Sequence, residues 1–264
     1  MNRLLLAGVL TGLVGLVPAA VAEEPESPQR PTRNLFGMTG LIDMPTAEMQ
    51  PDGEVALGAG YFGTTLRTTL SAQFLPWLEV AFRYTKVTDW GSAGDEIFGR
   101  SFDAKLRLVE EGETWPAIVI GLQDFIGTGI YSGEYLAATK GFKAGELGEF
   151  RVTGGLGWGR FAGEHGFRNP FCTVPGGDEF CERSRRPGKG LNFGRYFGGE
   201  DMSAFGGIEW ITPMEGLTAK LEYSPDSYLG EHRGGAFDQK NQFNFGLDYQ
   251  PADGVEIGAY YMYG

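Results

Sequence analysis

Apolar and polar residues alternate with a period of two through much of this chain. Leu217-Thr218-Ala219-Lys220-Leu221-Glu222-Tyr223 is the clearest case. Its odd positions are apolar, and its even positions carry a hydroxyl, a cation and an anion. Successive strand side chains point to opposite faces, so this pattern predicts a strand with one apolar and one polar face. Eleven strands are predicted, over 54–62, 65–75, 78–87, 101–109, 116–124, 130–141, 149–158, 201–211, 217–224, 241–250 and 254–263. One face holds Leu78, Val80, Phe82 and Tyr84, then Phe102, Ala104, Leu106 and Leu108, and later Phe243, Phe245, Leu247 and Tyr249. The alternate face holds Glu79, Arg83, Asp103, Lys105, Arg107, Arg151, Glu209, Lys220, Glu222, Asp248 and Glu256.

The connections alternate in length. Short ones at 75–77, 111–113, 143–148, 212–216 and 251–254 fall on one rim. Mostly longer ones at 88–100, 125–129, 159–200 and 225–240 fall on the other. Pro76, Pro213 and Pro251 stand at strand exits, where a residue without an N–H ends the ladder. This asymmetry is that of outer-membrane barrels. The expected fold is all-β, an antiparallel up-and-down transmembrane β-barrel of about 11–12 strands. Eleven strands starting at one rim finish at the other, whereas single-chain bacterial barrels have even numbers. Either the stretch 36–42 adds a strand or the barrel is incomplete; the parity favours an incomplete barrel.

Ahead of the strands, Arg3, an apolar run over 4–17, Pro18 and Ala20-Val21-Ala22 have the order of a cleavable export signal over 1–22. Residues 23–33, with Pro25, Pro28 and Pro31, form an expected linker, and 34–264 the barrel domain. No cysteine stands near the cleavage site, so a lipid anchor is not expected. No later run is long and apolar enough for a transmembrane helix. Export leads to an oxidising compartment, so Cys172 and Cys181, in one Pro- and Gly-rich loop, are expected to form a local disulfide. With no histidine at zinc-site spacing beside them, neither a metal nor a cofactor is expected.

A net charge of −12 argues against a nucleic-acid partner. The inward charges mix both signs. They either pair across the interior and fill it, or line a wet channel or sugar-binding groove; the filled interior is the plainer expectation. The two histidines, His165 and His232, lie in loops. Ser227 and Asp226 neighbour His232 in sequence, but no Gly-x-Ser-x-Gly elbow supports a hydrolase, and no enzyme is expected. Gly154-Gly155-Leu156-Gly157 sits in a strand with no helix after it, which argues for close strand packing and against nucleotide binding. The long-loop cations Arg183, Arg185, Arg186 and Lys189 are candidates for clamping anionic sugar or lipopolysaccharide phosphate, against a solvated loop. Trp90, Phe171 and Tyr228, on long loops, are candidate stacking faces for sugar.

Gly40-Leu41-Ile42-Asp43-Met44-Pro45-Thr46-Ala47 and Phe205-Gly206-Gly207-Ile208-Glu209-Trp210, running into Thr212-Pro213, carry a family resemblance. So do Leu221-Glu222-Tyr223-Ser224-Pro225-Asp226-Ser227-Tyr228 and Asn169-Pro170-Phe171. Over roughly 34–264 the chain resembles the YjbH-like proteins. The resemblance implies an outer-membrane β-barrel tied to exopolysaccharide production and export. Its implied partners are outer-membrane lipid, exopolysaccharide or lipopolysaccharide, and other polysaccharide-assembly proteins. No catalytic residues carry over. The alternatives are a porin-like channel for small solutes and a periplasmic glycan-binding β-domain. Members of the family are usually much longer than this chain, which agrees with a barrel still open after the eleventh strand.

Overall fold

The computed structural model describes residues 6–12, 29–90, 95–163, 165–174, 177, 181, 183, 196–228 and 239–264. Their sheet is built of β1 (Leu6–Gly12), β2 (Val55–Phe62), β3 (Thr65–Leu75), β4 (Leu78–Trp90), β5 (Asp95–Val109), β6 (Ala117–Gly127), β7 (Gly133–Lys143), β8 (Glu149–Gly159), β9 (Phe167–Arg168), β10 (Asp201–Ile211), β11 (Leu217–Tyr223), β12 (Phe243–Ala252) and β13 (Val255–Tyr261). Short 3-10 turns occur at Gly145–Leu147, Arg160–Ala162 and Pro170–Thr173. No described helix is long and apolar enough to cross a membrane, which says nothing of crossing by strands.

Every pairing is antiparallel, and strands adjacent in sequence pair from β1 through β8. β8 then pairs with β10, β10 with β11, β11 with β12 and β12 with β13. β13 pairs in turn with β1, while the two-residue β9 adds to β10. Each of the twelve longer strands therefore has a neighbour on both sides in up-and-down order.

All eleven strands expected from the alternation are present. The differences lie at their ends. Residues read as the 88–100 loop continue the ladder as far as Trp90 opposite Asp95, and β6 runs on to Gly127. Thr88, Asp89, Asp95 and Glu96 break the alternation of the sequence at the first of these ends and Gly127 closes the second, but the backbone goes on pairing. The stretch 36–42 does not supply a twelfth strand: it makes only isolated bridges, Arg33 to Thr39 and Gly40 to Pro45, and is buried inside the sheet. The twelfth place is held by Leu6–Gly12, from the stretch read as an export signal.

The two faces separate as the pattern requires. Glu79, Arg83, Asp103, Lys105, Glu209, Lys220, Glu222, Asp248 and Glu256 are buried on the inner face. Phe82, Phe102, Leu108, Leu221, Phe245, Leu247 and Ile257 are exposed on the outer face. Aromatics mark both ends of that outer surface. Phe74, Trp77, Trp115 and Phe142 lie towards the short-turn rim, and Tyr61, Tyr84, Phe98 and Phe243 towards the other. Inner-face glycines make room for large rings. A Cβ on Gly155 would come 2.2 Å from the Phe205 ring, and one on Gly121 would come 2.1 Å from Tyr135.

Candidate functional site: a filled interior

The inner face closes on a segment of the chain itself. From residue 32 to residue 48 every position is buried. Of the expected linker, residues 29–33 are described, and Gln29, Thr32 and Arg33 are already buried, so the packed segment starts earlier than composition suggests.

The segment enters and leaves at the short-turn rim. At entry, Arg30 and Arg33 pair with Glu54 at 2.9 and 2.6 Å, and the Arg33 N–H donates to Glu256 at 2.7 Å. At exit, the Gln50 N–H donates to Gln73 at 3.1 Å, and the Gln50 amide donates to the Pro31 carbonyl at 2.8 Å, holding the two limbs side by side. Between them the chain turns on Asn34, whose side-chain oxygen accepts from the Phe36 and Met38 amides at 3.0 and 3.2 Å. Gly37, with φ +80°, lies against Thr69, where any Cβ would come within 2.5 Å. Both the left-handed backbone and the contact require glycine there.

Two clamps of opposite charge grip this backbone. Lys220 donates from Nζ to the Gly40 and Leu41 carbonyls at 2.9 and 2.7 Å. Two residues on, one Glu222 oxygen accepts the Ile42, Asp43 and Met44 amides at 2.9, 2.8 and 2.8 Å. Positions i and i+2 of β11 share the inner face, so a single strand presents a cation to carbonyls and an anion to amides of one turn. The second clamp spans β4 and β5. Glu79 accepts from the Thr39 amide at 2.8 Å and its hydroxyl at 3.0 Å. Lys105 pairs with Glu79 at 2.6 Å and donates to the Thr39 and Glu48 carbonyls at 3.1 and 2.7 Å. Ion pairs between Arg83 and Asp103, between Arg151 and Glu48, and between Lys220 and Asp248 complete the polar interior.

Apolar clusters flank the segment. Leu35 and Ile42 pack with Phe62, Tyr228, Tyr260, Met262 and Tyr263. Leu41, Met44 and Ala47 pack with Val119, Tyr135, Phe161 and Phe205 among others. Asp43 lies at the tip, where its carboxylate accepts from Tyr228 Oη at 2.7 and 2.8 Å and from Tyr263 Oη at 2.7 Å. Burial first, then the Asp43 charge, pushes both phenols well above the ordinary tyrosine range, which keeps them as donors. The Arg67 guanidinium lies over the Phe36 ring at 4.4 Å and the Tyr131 ring at 5.2 Å.

The candidate sugar-binding residues that are described, Phe171, Arg183 and Tyr228, are not all brought into one site. Phe171 is exposed, with its ring 6.4 Å from that of Trp158. Arg183 makes a bidentate pair with Glu134 at 2.6 and 2.9 Å and reaches Ser132 at 3.0 Å. Tyr228 is buried against Asp43, away from any outer surface. Trp90 ends β4, and its side chain lies outside the described residues, as do Arg185, Arg186 and Lys189. Asp226 pairs with Arg160 at 2.5 Å, and His232 lies outside the described residues. Cys172 and Cys181 have Cα atoms 5.1 Å apart, within the span of a disulfide. Among the described residues no group of three or more His, Cys, Asp or Glu is placed to hold a metal.

The family model described as exopolysaccharide biosynthesis protein YbjH matches residues 32–264. The uncharacterized lipoprotein YjbH of Escherichia coli (strain K12) is 34% identical over 238 residues, which cover 87% of this chain and 33% of that protein. The chain thus spans about a third of that relative's length. No solved structure matches the chain.

Proposed function

Since the chain belongs to the YjbH exopolysaccharide biosynthesis family, we propose that it is a non-enzymatic outer-membrane β-barrel that serves exopolysaccharide assembly or export as a plugged scaffold. The observation that carries the scaffold reading is the buried segment 32–48, held inside the sheet by Lys220, Glu222, Glu79 and Lys105. It occupies the space that a porin-like channel would keep wet.

Support for the membrane setting comes from the outer face. Its middle positions are apolar, as at Leu57, Leu70, Phe82, Phe102, Leu247 and Ile257, with aromatics towards both rims. Such a band suits hydrocarbon between two interfaces. The exposed Phe171 is the proposed stacking face for glycan, and Trp90, Arg185 and Arg186 remain proposed glycan contacts from the sequence alone.

Two measurements test this. Removing the protein from its host should lower surface polysaccharide, and the wild-type chain should restore it; unchanged polysaccharide would sink the role. Purified protein in planar bilayers should give no stepwise conductance. Steady open channels from the wild type would favour a porin-like conduit instead.

A further inference from the structure

The hairpin of β12 and β13 bulges at the short-turn rim. Tyr249 faces Ile257, and the next pair is Ala252 with Val255, so Gln250 and Pro251 together oppose the single Glu256. A bulge of this kind re-aims side chains next to it. The bulged residues are tied elsewhere: the Gln250 N–H donates to the Gly216 carbonyl at 2.8 Å, and its side-chain amide to the Arg30 carbonyl at 3.1 Å. A cavity of about 310 Å³ lies between this hairpin, the Glu215-Gly216 turn and the entry of the buried segment. That size is at the lower end for small-molecule sites. Among its lining residues, Arg33 and Glu256 are only 6% and 3% exposed. Glu256 Oε2 stands 3.9 Å from Arg33 Nη1, beyond a hydrogen bond, and neither it nor Arg33 Nε has a hydrogen-bond partner among the described residues. Glu215 and Asp253 also line the cavity; both are exposed, and neither pairs with a cation among the described residues.

We propose that this cavity binds glycan through an amino sugar with a free amine, at a site separate from the long-loop candidates. This rests on the exopolysaccharide reading above. Charge supports it. Four carboxylates, Glu54, Glu215, Asp253 and Glu256, line the cavity against two guanidiniums, Arg30 and Arg33. Glu54 already bridges both arginines, so the uncommitted charge is negative. It attracts a cation and repels an acidic sugar. The hydrogen-bonding groups favour a sugar over a bare cation. One donor, Arg33 Nε–H, and one acceptor, Glu256 Oε2, are unspent. A hydroxyl both accepts and donates, so a single sugar hydroxyl satisfies the pair. Both atoms are out of solvent contact, and the hydroxyl reaches them on a small shift of the Arg33 side chain. Tyr249, half-exposed, lines the same cavity, and its ring can stack on the apolar face of a sugar. Under the barrel reading the short-turn rim faces the periplasm, so this site meets glycan before export.

Calorimetric titration of the purified natural polypeptide in detergent tests this. The probes are a glucosamine hexamer with free amines, its N-acetylated counterpart, a galacturonic acid hexamer and hexalysine. The free-amine hexamer should bind roughly fivefold or more tightly than the N-acetylated one, the scale of two exposed ion pairs. The acidic hexamer should not bind. The double substitution E215Q/D253N should remove that advantage and leave the N-acetylated hexamer unchanged. Y249A should weaken both amino-sugar hexamers and leave hexalysine unmoved. The folded band on an unboiled detergent gel shows that each variant is intact. Equal binding of the two amino-sugar hexamers would overturn the proposal. So would hexalysine binding as tightly as the free-amine hexamer, binding of the acidic hexamer, an affinity unmoved by E215Q/D253N, or no binding at all. The polysaccharide assay above reads the role separately. Polysaccharide lowered on removal of the protein, together with any of these outcomes, sinks the cavity alone, whereas unchanged polysaccharide sinks the role itself.

Discussion

Around Lys220 and Glu222 each buried charge meets hydrogen-bonding groups of the inserted segment, and Lys220 also pairs with Asp248 at 3.0 Å. Around Arg67, equally buried, the guanidinium nitrogens have no hydrogen-bond acceptor among the described residues, and the cation rests on the Phe36 and Tyr131 rings. The two neighbourhoods hold the same segment by different means. Hydrogen bonds from Lys220 and to Glu222 fix the path of individual peptide groups. A cation over ring faces fixes little beyond distance and plane, and tolerates sliding. The first therefore specifies the fold of the segment, and the second mainly fills space.

The sharpest break is Glu222→Ala. It leaves three backbone amides and the Asn244 side-chain amide without their carboxylate and should cost roughly 3–5 kcal/mol, the scale for breaking a buried charge network. The folded band on an unboiled detergent gel should give way at clearly lower urea. Glu222→Gln keeps one accepting oxygen and should fall between Glu222→Ala and wild type.

Tyr228→Phe and Tyr263→Phe each remove a donor to Asp43 and should cost about 1.5–3 kcal/mol. Their pH signature has a definite sign. Both folded pKa values lie above the unfolded value, so this contribution is full below about pH 10 and is lost as pH rises through the folded value. Absorbance at 295 nm should show a tyrosine step that is delayed until the protein unfolds in alkali, and in the double Phe variant that step should be smaller and come at lower pH. Ionisation of all tyrosines with an ordinary pKa would show that Asp43 is not held as described.

Arg67→Met should be nearly neutral or slightly stabilising, within about 1 kcal/mol, since it trades an unpaired buried cation for a similar apolar volume. A loss as large as that of Glu222→Ala would erase the contrast. The smallest expected change in stability is that of Phe171→Ala, within about 0.5 kcal/mol as for an exposed side chain. If Phe171 stacks on glycan, its effect appears in surface polysaccharide and not in the unfolding curve.

The strands were legible because a half-buried strand writes its two faces into alternate residues, as Leu217–Tyr223 does. The mixed signs of Lys105, Arg83, Glu79 and Asp103 also pointed to a filled interior. What fills it was hidden. Residues 34–50 have no period of two or of 3.6, and their burial is decided by partners about 180 residues away, such as Lys220 and Glu222. Tyr228 was misleading for the same reason. In sequence it belongs with the loop aromatics, and only the approach of Asp43 shows that the chain folds back inside. A cue did exist in the opposite charges at i and i+2 on the inner face of one strand, an arrangement suited to gripping a peptide turn.

The re-entrant course of the segment constrains the order of assembly. Residues 32–44 are secured by Glu209, Lys220, Glu222, Tyr228, Glu256 and Tyr263, all supplied by the last quarter of the chain. Such distant pairings are slow to form, because the entropy of closing a long loop must be spent before any contact repays it. Both limbs of the segment lie at one rim, so threading it into a finished cylinder would mean forcing a doubled chain through a packed mouth. The amino-terminal stretch must instead wait inside an open, growing sheet until the final strands arrive. The earliest residues in the sequence are thus among the last to be locked, and chaperoning of this protein has to protect its beginning until its end has folded.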